Sequence, residues 1–167
     1  MADGKPALWS LVPQAWRDDL WEELSEEERE RVAGLDEFLR RVPDDDVVPA
    51  REQWFACLED FPPEQTAVII VGQDPYPIIG DAIGVSFAVA KDRKIPRSLV
   101  NVMKVARASV NEEMGTTEVA YPMDRTLSNW RRQGVLMLNV RLTTEAGKRD
   151  AHARKGWEVV TSAIMRL

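Results

Sequence analysis

Residues 67–77 read A-V-I-I-V-G-Q-D-P-Y-P, an apolar run that ends abruptly at a glycine. A short run rich in Val and Ile and broken by Gly72 and Pro75 is typical of a buried parallel strand whose carboxyl end opens into a tight loop. Proteins of the α/β class place their chemistry at such strand ends. Asp74 follows this strand directly, so we expect its carboxylate to belong to a functional site.

Length and composition predict one domain. A chain of 167 residues with 44% hydrophobic residues can bury a single sizeable core. The single Cys57 excludes an internal disulfide, and without a C-x-x-C pair or a His cluster we expect a reducing compartment and no metal or other cofactor. We expect no membrane span and no signal peptide, because no apolar run is long enough. The strand pattern, with a second strand at residues 135–138, predicts an α/β fold with a short, mainly parallel central sheet flanked by helices.

The formal net charge of -6 is unevenly distributed along the chain. Residues 1–66 contain 18 Asp and Glu against 7 Lys and Arg, whereas residues 67–167 contain 10 against 15. Because phosphates attract local positive charge, the second part of the chain suits a nucleic-acid face. An uneven solvated surface without such a role explains the charges equally well.

The first third of the chain is predicted to be helical. Residues 16–24 and 26–41 carry apolar residues at helical spacing, and Ser25 with Glu28 forms a capping-box pattern. Further helices are predicted at residues 52–58, at residues 124–133 and from Gly156 onward, with a surface connection at residues 111–123. Since no basic residues are interleaved with them, four tryptophans are expected in the core rather than on a base-stacking surface: Trp9, Trp16, Trp21 and Trp54.

Three motifs carry a family resemblance. Residues 72–89 read G-Q-D-P-Y-P-I-I-G-D-A-I-G-V-S-F-A-V, and this stretch resembles the water-activating loop of family 1 uracil-DNA glycosylases in its Pro-containing variant. Asn139 opens N-V-R-L-T, which resembles the family motif L-L-N-x-x-L-T, and residues 146–158 resemble A-G-x-x-x-x-H-x-x-x-G-W-E. The resemblance covers roughly residues 9–167, so it implies a uracil-DNA glycosylase-like domain over the chain.

The resemblance implies a DNA-repair glycosylase that flips uracil out of DNA and hydrolyses its N-glycosidic bond. Asp74 would position the attacking water and stabilise the cationic sugar. For the base, the backbone N–H of Gln73 would donate to an oxygen, Phe87 would stack on the ring and Asn139 would bind its edge with one acceptor and two donors. Tyr76 would crowd the C5 position and exclude thymine.

DNA-backbone contacts are expected on two segments. Arg97 and Ser98 lie in a basic loop at a predicted helix start, where a hydroxyl and backbone N–H groups suit a phosphate. The alternative for Ser98 is an ordinary helix N-cap. His152, the only histidine, occupies the family's His position. Its alternative role is to hold the geometry of its own loop.

One departure affects the expected activity. The His-Pro-Ser-Pro-Leu-Ser motif of the family has no counterpart before Leu167, so the domain is expected to be C-terminally incomplete, with apolar surface exposed and activity weakened. The alternative function is therefore a truncated or degenerate member that binds DNA or uracil without efficient cleavage. Smaller departures are Ile78, Ile79 and the acidic Asp81. A nucleotide-binding α/β domain is disfavoured because no phosphate loop is present.

The expected partner is uracil-containing DNA, single- or double-stranded, with no membrane association. We expect a monomer that acts in the cytoplasm, or in the nucleus if the source is a eukaryote. A proteinaceous inhibitor cannot be read from the sequence.

Overall fold

The computed structural model describes residues 4–117 and 124–167. Its helices are α1 (Gln14–Glu23), α2 (Glu26–Arg41), α3 (Arg97–Glu113), α4 (Ser128–Arg131) and α5 (Trp157–Arg166), and its strands are β1 (Val47–Val48), β2 (Val68–Gly72), β3 (Val135–Asn139) and β4 (Thr144–Glu145). The protein has an α/β fold in which helices flank a short parallel strand pair, as predicted. In the part of the chain that is described, no helix has both the length and the apolar composition needed to cross a bilayer.

The two predicted strands pair in parallel, which brings their carboxyl ends together. Their register runs from Val68 opposite Val135 to Gly72 opposite Asn139. Hydrogen bonding continues past the strand ends, since the N–H of Val140 donates to the Gly72 carbonyl at 2.9 Å and that of Arg141 to the Gln73 carbonyl at 3.1 Å. The loops after β2 and β3 are therefore held side by side.

The two strands differ in burial. Leu136, Met137 and Leu138 of β3 are completely buried, whereas Val68 and Val71 of β2 are 52% and 44% exposed. The prediction that the first strand is buried is therefore wrong. Among the described strands β2 is hydrogen-bonded to β3 alone, so its other edge carries no ladder and its apolar side chains are only partly covered.

Helices α1, α2 and α5 pack around one core. The capping box at the start of α2 is confirmed, because the N–H of Glu28 donates to Ser25 Oγ at 3.3 Å and the N–H of Ser25 donates to the Glu28 carboxylate at 2.9 Å. Trp9, Trp16 and Trp54 are buried in this core, which confirms that they pack rather than offer rings to bases, and Trp21 is half-buried against it.

Several local predictions are corrected. The helix expected at residues 52–58 is two single 3-10 turns, and the segment before it forms β1, which pairs antiparallel with β4. The helix expected at residues 124–133 is only α4, because the Asp124 carboxylate accepts hydrogen bonds from Thr126, Ser128 and the Asn129 N–H and holds the preceding residues in a turn. In the predicted surface connection, residues 111–113 belong to α3, and residues 118–123 lie outside the described residues.

Candidate active site

A cavity of about 570 Å³ opens at the carboxyl ends of β2 and β3. Its walls come from the loops after both strands and from the start of α3. Seven of the eight predicted site residues line it: Gln73, Asp74, Tyr76, Phe87, Arg97, Ser98 and Asn139. The strand-end argument for Asp74 and the motif resemblance for the other six residues therefore led to side chains that the fold brings together.

Asn139 is held at the floor of the cavity by its close approach to Gly72. The Asn139 side chain is only 7% exposed. A Cβ built on Gly72 would lie 2.3 Å from Asn139 Oδ1 and 3.0 Å from the Ser86 Cβ. Glycine therefore provides the space that the amide occupies, a role that the sequence pattern did not reveal.

Asp74 is half-buried directly after β2, and its carboxylate has a partner from a distant loop. Asp74 Oδ2 accepts a hydrogen bond from the backbone N–H of Asp150 at 2.9 Å. The side-chain amide of Gln73 lies 2.8 Å from both carboxylate oxygens of Asp150. Arg141, on the loop after β3, donates to the same carboxylate. Sequence reasoning missed Asp150, because a lone acidic residue 76 positions from Asp74 carries no local signal.

Tyr76, Phe87 and Ser98 form a hydrogen-bonded wall. The Tyr76 hydroxyl donates to the Phe87 carbonyl at 3.0 Å and lies 2.8 Å from Ser98 Oγ. Because the phenolic proton goes to the carbonyl, the Ser98 hydroxyl donates to Tyr76. Burial raises the pKa of the Tyr76 phenol, which keeps this donor protonated at neutral pH.

The Phe87 ring is presented by an unusual backbone conformation. Its φ of 62° lies in the left-handed region, which bulky residues rarely adopt. The loop leading to it passes so close to another segment that a Cβ on Gly84 would lie 1.8 Å from the Gln53 carbonyl oxygen. Backbone strain of this kind is characteristic of functional sites.

Basic groups line one side of the cavity. Lys94, Arg97 and Arg149 contribute to its lining. The first turn of α3 begins at Arg97 and has no side-chain cap, so Ser98 is not the N-cap that the alternative interpretation suggested. The first-turn N–H groups of α3 are therefore oriented like those of helix starts that bind anions.

His152 does not line the cavity. Its side chain is completely buried, its Nδ1 lies 2.8 Å from Thr143 Oγ1, and its ring packs edge-on against Phe38. Thr143 Oγ1 also accepts a hydrogen bond from Trp157 Nε1 at 2.6 Å. The expected DNA contact of His152 is wrong, because a buried ring cannot reach a phosphate. The alternative, a histidine that holds its own loop, agrees with these contacts.

Two of the sequence departures, Ile78 and Asp81, line the cavity, and Ile79 follows Ile78 in the same loop. Ile78 and Ile79 are 62% and 61% exposed. Asp81 is paired with Arg93 at 3.3 Å, which partly neutralises the extra negative charge near Asp74. Among the described residues, no group of three or more His, Cys, Asp or Glu side chains is arranged to hold a metal ion.

The fold and the site define an α/β protein with a ligand pocket at the carboxyl ends of parallel strands. No family model matches the chain. It is 39% identical over 165 residues to a uracil-DNA glycosylase of Mycobacterium sp. strain KMS, covering 96% of this chain and 66% of the relative. It is 37% identical over 158 residues to uracil-DNA glycosylase 2 of Streptomyces avermitilis, covering 94% of this chain and 65% of the relative. The chain is thus a homologue of the uracil-DNA glycosylases.

Solved structures agree with this relationship. The crystal structure of mimivirus uracil-DNA glycosylase matches 96% of this chain and 58% of its own, with 28% identity and a TM-score of 0.75. A variant of the same viral protein in complex with UGI matches with a TM-score of 0.76. The chain spans about 65% of the length of the curated relatives that it matches.

Proposed function

We propose that the protein is a DNA-repair glycosylase that takes uracil out of DNA and hydrolyses the N-glycosidic bond, leaving an abasic site. The observation that carries this proposal is the pairing of Asp74 and Asn139. They lie at the ends of two adjacent parallel strands and line one cavity. A carboxylate and an amide in one cavity that can hold a nucleotide are the groups that recognition and hydrolysis of a uracil nucleotide require. The homology to named uracil-DNA glycosylases supports the same reaction.

The shape of the site favours a base that has left the helix. A concave cavity of about 570 Å³ has room for an extruded nucleotide, whereas a base that stays stacked inside a duplex cannot enter it. Within it, Phe87 stacks on the base and Asn139 binds the edge that carries O4 and N3–H. The backbone N–H of Gln73 donates to a uracil oxygen. Tyr76, held by its bond to the Phe87 carbonyl, occupies the space that the methyl group of thymine would need.

Asp74 acts on the sugar side of the reaction. As the C1′–N1 bond breaks, its electron pair goes to the uracil ring and positive charge develops on the deoxyribose. The Asp74 carboxylate stabilises this charge and positions the water whose oxygen bonds to C1′, while the water's proton passes to the carboxylate or to solvent. The hydrogen-bond donors around the base stabilise the departing anion.

The basic side of the cavity meets the DNA backbone. Arg97, Lys94 and Arg149 provide positive charge, and the uncapped first turn of α3 provides backbone N–H groups for a phosphate. Ser98 acts indirectly, because its hydroxyl is bonded to Tyr76. These contacts do not depend on base pairing, so both single- and double-stranded DNA are substrates.

We further propose that residues 1–167 belong to a single domain and that the protein acts as a monomer, without a cofactor, where the genome lies: the cytoplasm of a bacterium or the nucleus of a eukaryote. The viral homologue solved with UGI supports a proteinaceous inhibitor as a partner of this protein as well.

The test is Asp74→Asn in single-turnover excision of uracil from a single-stranded oligonucleotide, with abasic sites detected by alkaline strand cleavage. We expect the rate to fall by about 10² to 10³, because an amide cannot balance the charge on the sugar. Asp92→Asn is the matched control, since Asp92 is exposed and does not line the cavity. An unchanged rate in Asp74→Asn contradicts the proposal. Wild-type protein that binds the oligonucleotide but never cleaves it indicates the alternative, a binding protein.

A further inference from the structure

Asp150 lies on the loop between β4 and α5 and contacts three residues of two other loops. Its backbone N–H donates to Asp74 Oδ2 at 2.9 Å, and its carboxylate accepts from the side-chain amide of Gln73 at 2.8 Å. The guanidinium of Arg141 donates to the same carboxylate. One residue therefore connects the loop after β2, the loop after β3 and its own loop.

The backbone of Asp150 is shaped for this contact. Its φ of 56° lies in the left-handed region, which Asp and Asn tolerate better than other non-glycine residues. The surrounding loop is tied to the site, because the N–H of Gly147 donates to the Pro77 carbonyl at 2.7 Å. The Thr144 hydroxyl donates to the Lys148 carbonyl at 2.7 Å. The turn that carries the N–H of Asp150 is therefore held in place by hydrogen bonds on its other residues.

The ion pair with Arg141 does not by itself explain why Asp150 is held next to Asp74 and Gln73. Exposed ion pairs contribute only about 0 to 1 kcal/mol to stability, and the Asp150 side chain is 49% exposed. Arg141, in contrast, is only 12% exposed and also lies 3.7 Å from the Glu158 carboxylate, so it is a fixed cation. It neutralises Asp150, which lets a second carboxylate stand beside Asp74 without repelling it and without opposing the negative charge that develops on the departing uracil.

We propose that Asp150 is a positioning residue for Asp74. Its N–H fixes Oδ2, which leaves Oδ1 for the water or the sugar, and its carboxylate holds Gln73 so that the residue before Asp74 cannot turn. This inference rests on the proposed glycosylase function, and it adds a residue that touches neither base nor sugar.

Two substitutions separate the parts of this role. Asp150→Gly retains an N–H and the positive φ but removes the carboxylate, and Asp150→Asn keeps an acceptor for Gln73 while losing the charge that faces Arg141. We expect kcat to fall about 10- to 100-fold in Asp150→Gly, because small misplacements of a reacting group are costly, with KM changed less than about 3-fold. Asp150→Asn should recover part of the loss. Glu37→Gln, which breaks the exposed ion pair with Arg41 on α2, is the matched control and should leave kcat unchanged.

A double-mutant cycle distinguishes positioning from simple loop stability. In the Asp74→Asn background, Asp150→Gly should cost less than about 2-fold, because the carboxylate that it positions is already gone. Equal losses in both backgrounds, or an unchanged kcat in Asp150→Gly alone, overturn the proposal.

A readout without catalysis separates this inference from the proposed function. Amide hydrogen exchange at residue 150 should accelerate at least about 10-fold in Asp74→Ala, since the acceptor of its N–H is lost. If the wild-type protein excises no uracil, the proposed function fails, and faster exchange in Asp74→Ala still supports the contact. Unchanged exchange in Asp74→Ala shows that Asp150 does not hold Asp74.

Discussion

Gly72→Ala tests whether the close approach of β2 to Asn139 sets the geometry of the base pocket. Gly72 is not among the residues with positive φ, so the backbone accepts alanine without strain. The new Cβ would meet Asn139 Oδ1 at 2.3 Å, whereas ordinary contacts begin near 3.4 Å. The amide must therefore move by roughly 1 Å. We expect the excision rate to fall about 10²-fold, because a displacement of that size disrupts a productive geometry.

The expected stability change is smaller than the change in activity. Overpacking at a buried position costs about 1 to 3 kcal/mol, and replacing glycine by alanine returns about 0.5 to 1 kcal/mol. The net loss corresponds to a drop in Tm of a few degrees, since about 1 kcal/mol shifts Tm by roughly 2 to 4 °C in a domain of this size. At an assay temperature well below Tm the variant is folded, so lost activity reports the site.

The assay is single-turnover excision of uracil from a single-stranded oligonucleotide, together with the NMR cross-peaks of the Asn139 side-chain amide. Gly34→Ala is the matched control, because a Cβ at this position of α2 meets no atom within 4 Å. It should keep the wild-type rate and gain about 0.5 to 1 kcal/mol of stability. A wild-type rate in Gly72→Ala, with the Asn139 amide signals unmoved, would refute the reasoning.

Three further predictions concern the pocket and its support. Tyr76→Ala should gain slow excision of thymine, and Asn139→Asp should shift recognition toward cytosine. Oligonucleotides carrying each base test both, and if neither variant gains activity while both still process uracil, the assigned roles are wrong. Thr143→Val should destabilise the fold by about 2 to 4 kcal/mol in urea unfolding, since it removes the buried hydrogen-bond partner of Trp157 Nε1 and of His152 Nδ1. Wild-type stability in this variant would show that these two hydrogen bonds do not support the fold. Burial lowers the pKa of His152 below its ordinary value of 6.5, so the unfolded chain binds a proton more readily than the folded protein does. The free energy of unfolding should therefore fall as the pH drops below 6.5, by at most about 1.4 kcal/mol per pH unit. Because His152 is the only histidine in the sequence, His152→Phe should abolish the dependence of the unfolding free energy on pH between pH 5.5 and 7. If that pH dependence remains in the variant, a group other than His152 causes it.

The sequence by itself determined the two strands and the residues at their ends. An apolar run broken by Gly72 and Pro75 is a local pattern, and so is the run before Asn139, which is why both strands were predicted where the structure has them. The capping box at Ser25 is equally local, since both partners lie within four residues. Motif resemblance added Tyr76 and Phe87, which line the same cavity.

Only the tertiary structure decided the contacts between distant segments. The N–H of Asp150 reaches Asp74 across 76 residues, and no spacing rule predicts a contact of that separation. Burial of His152 depends on Phe38 from a helix far earlier in the chain, so its motif position suggested a DNA contact that the fold does not allow. Val68 is exposed because β2 pairs with a strand on one edge only and its side chains are only partly covered. The apolar sequence of this strand indicates only a preference for burial. Local pattern sets where an element ends, and packing sets what its end residues touch.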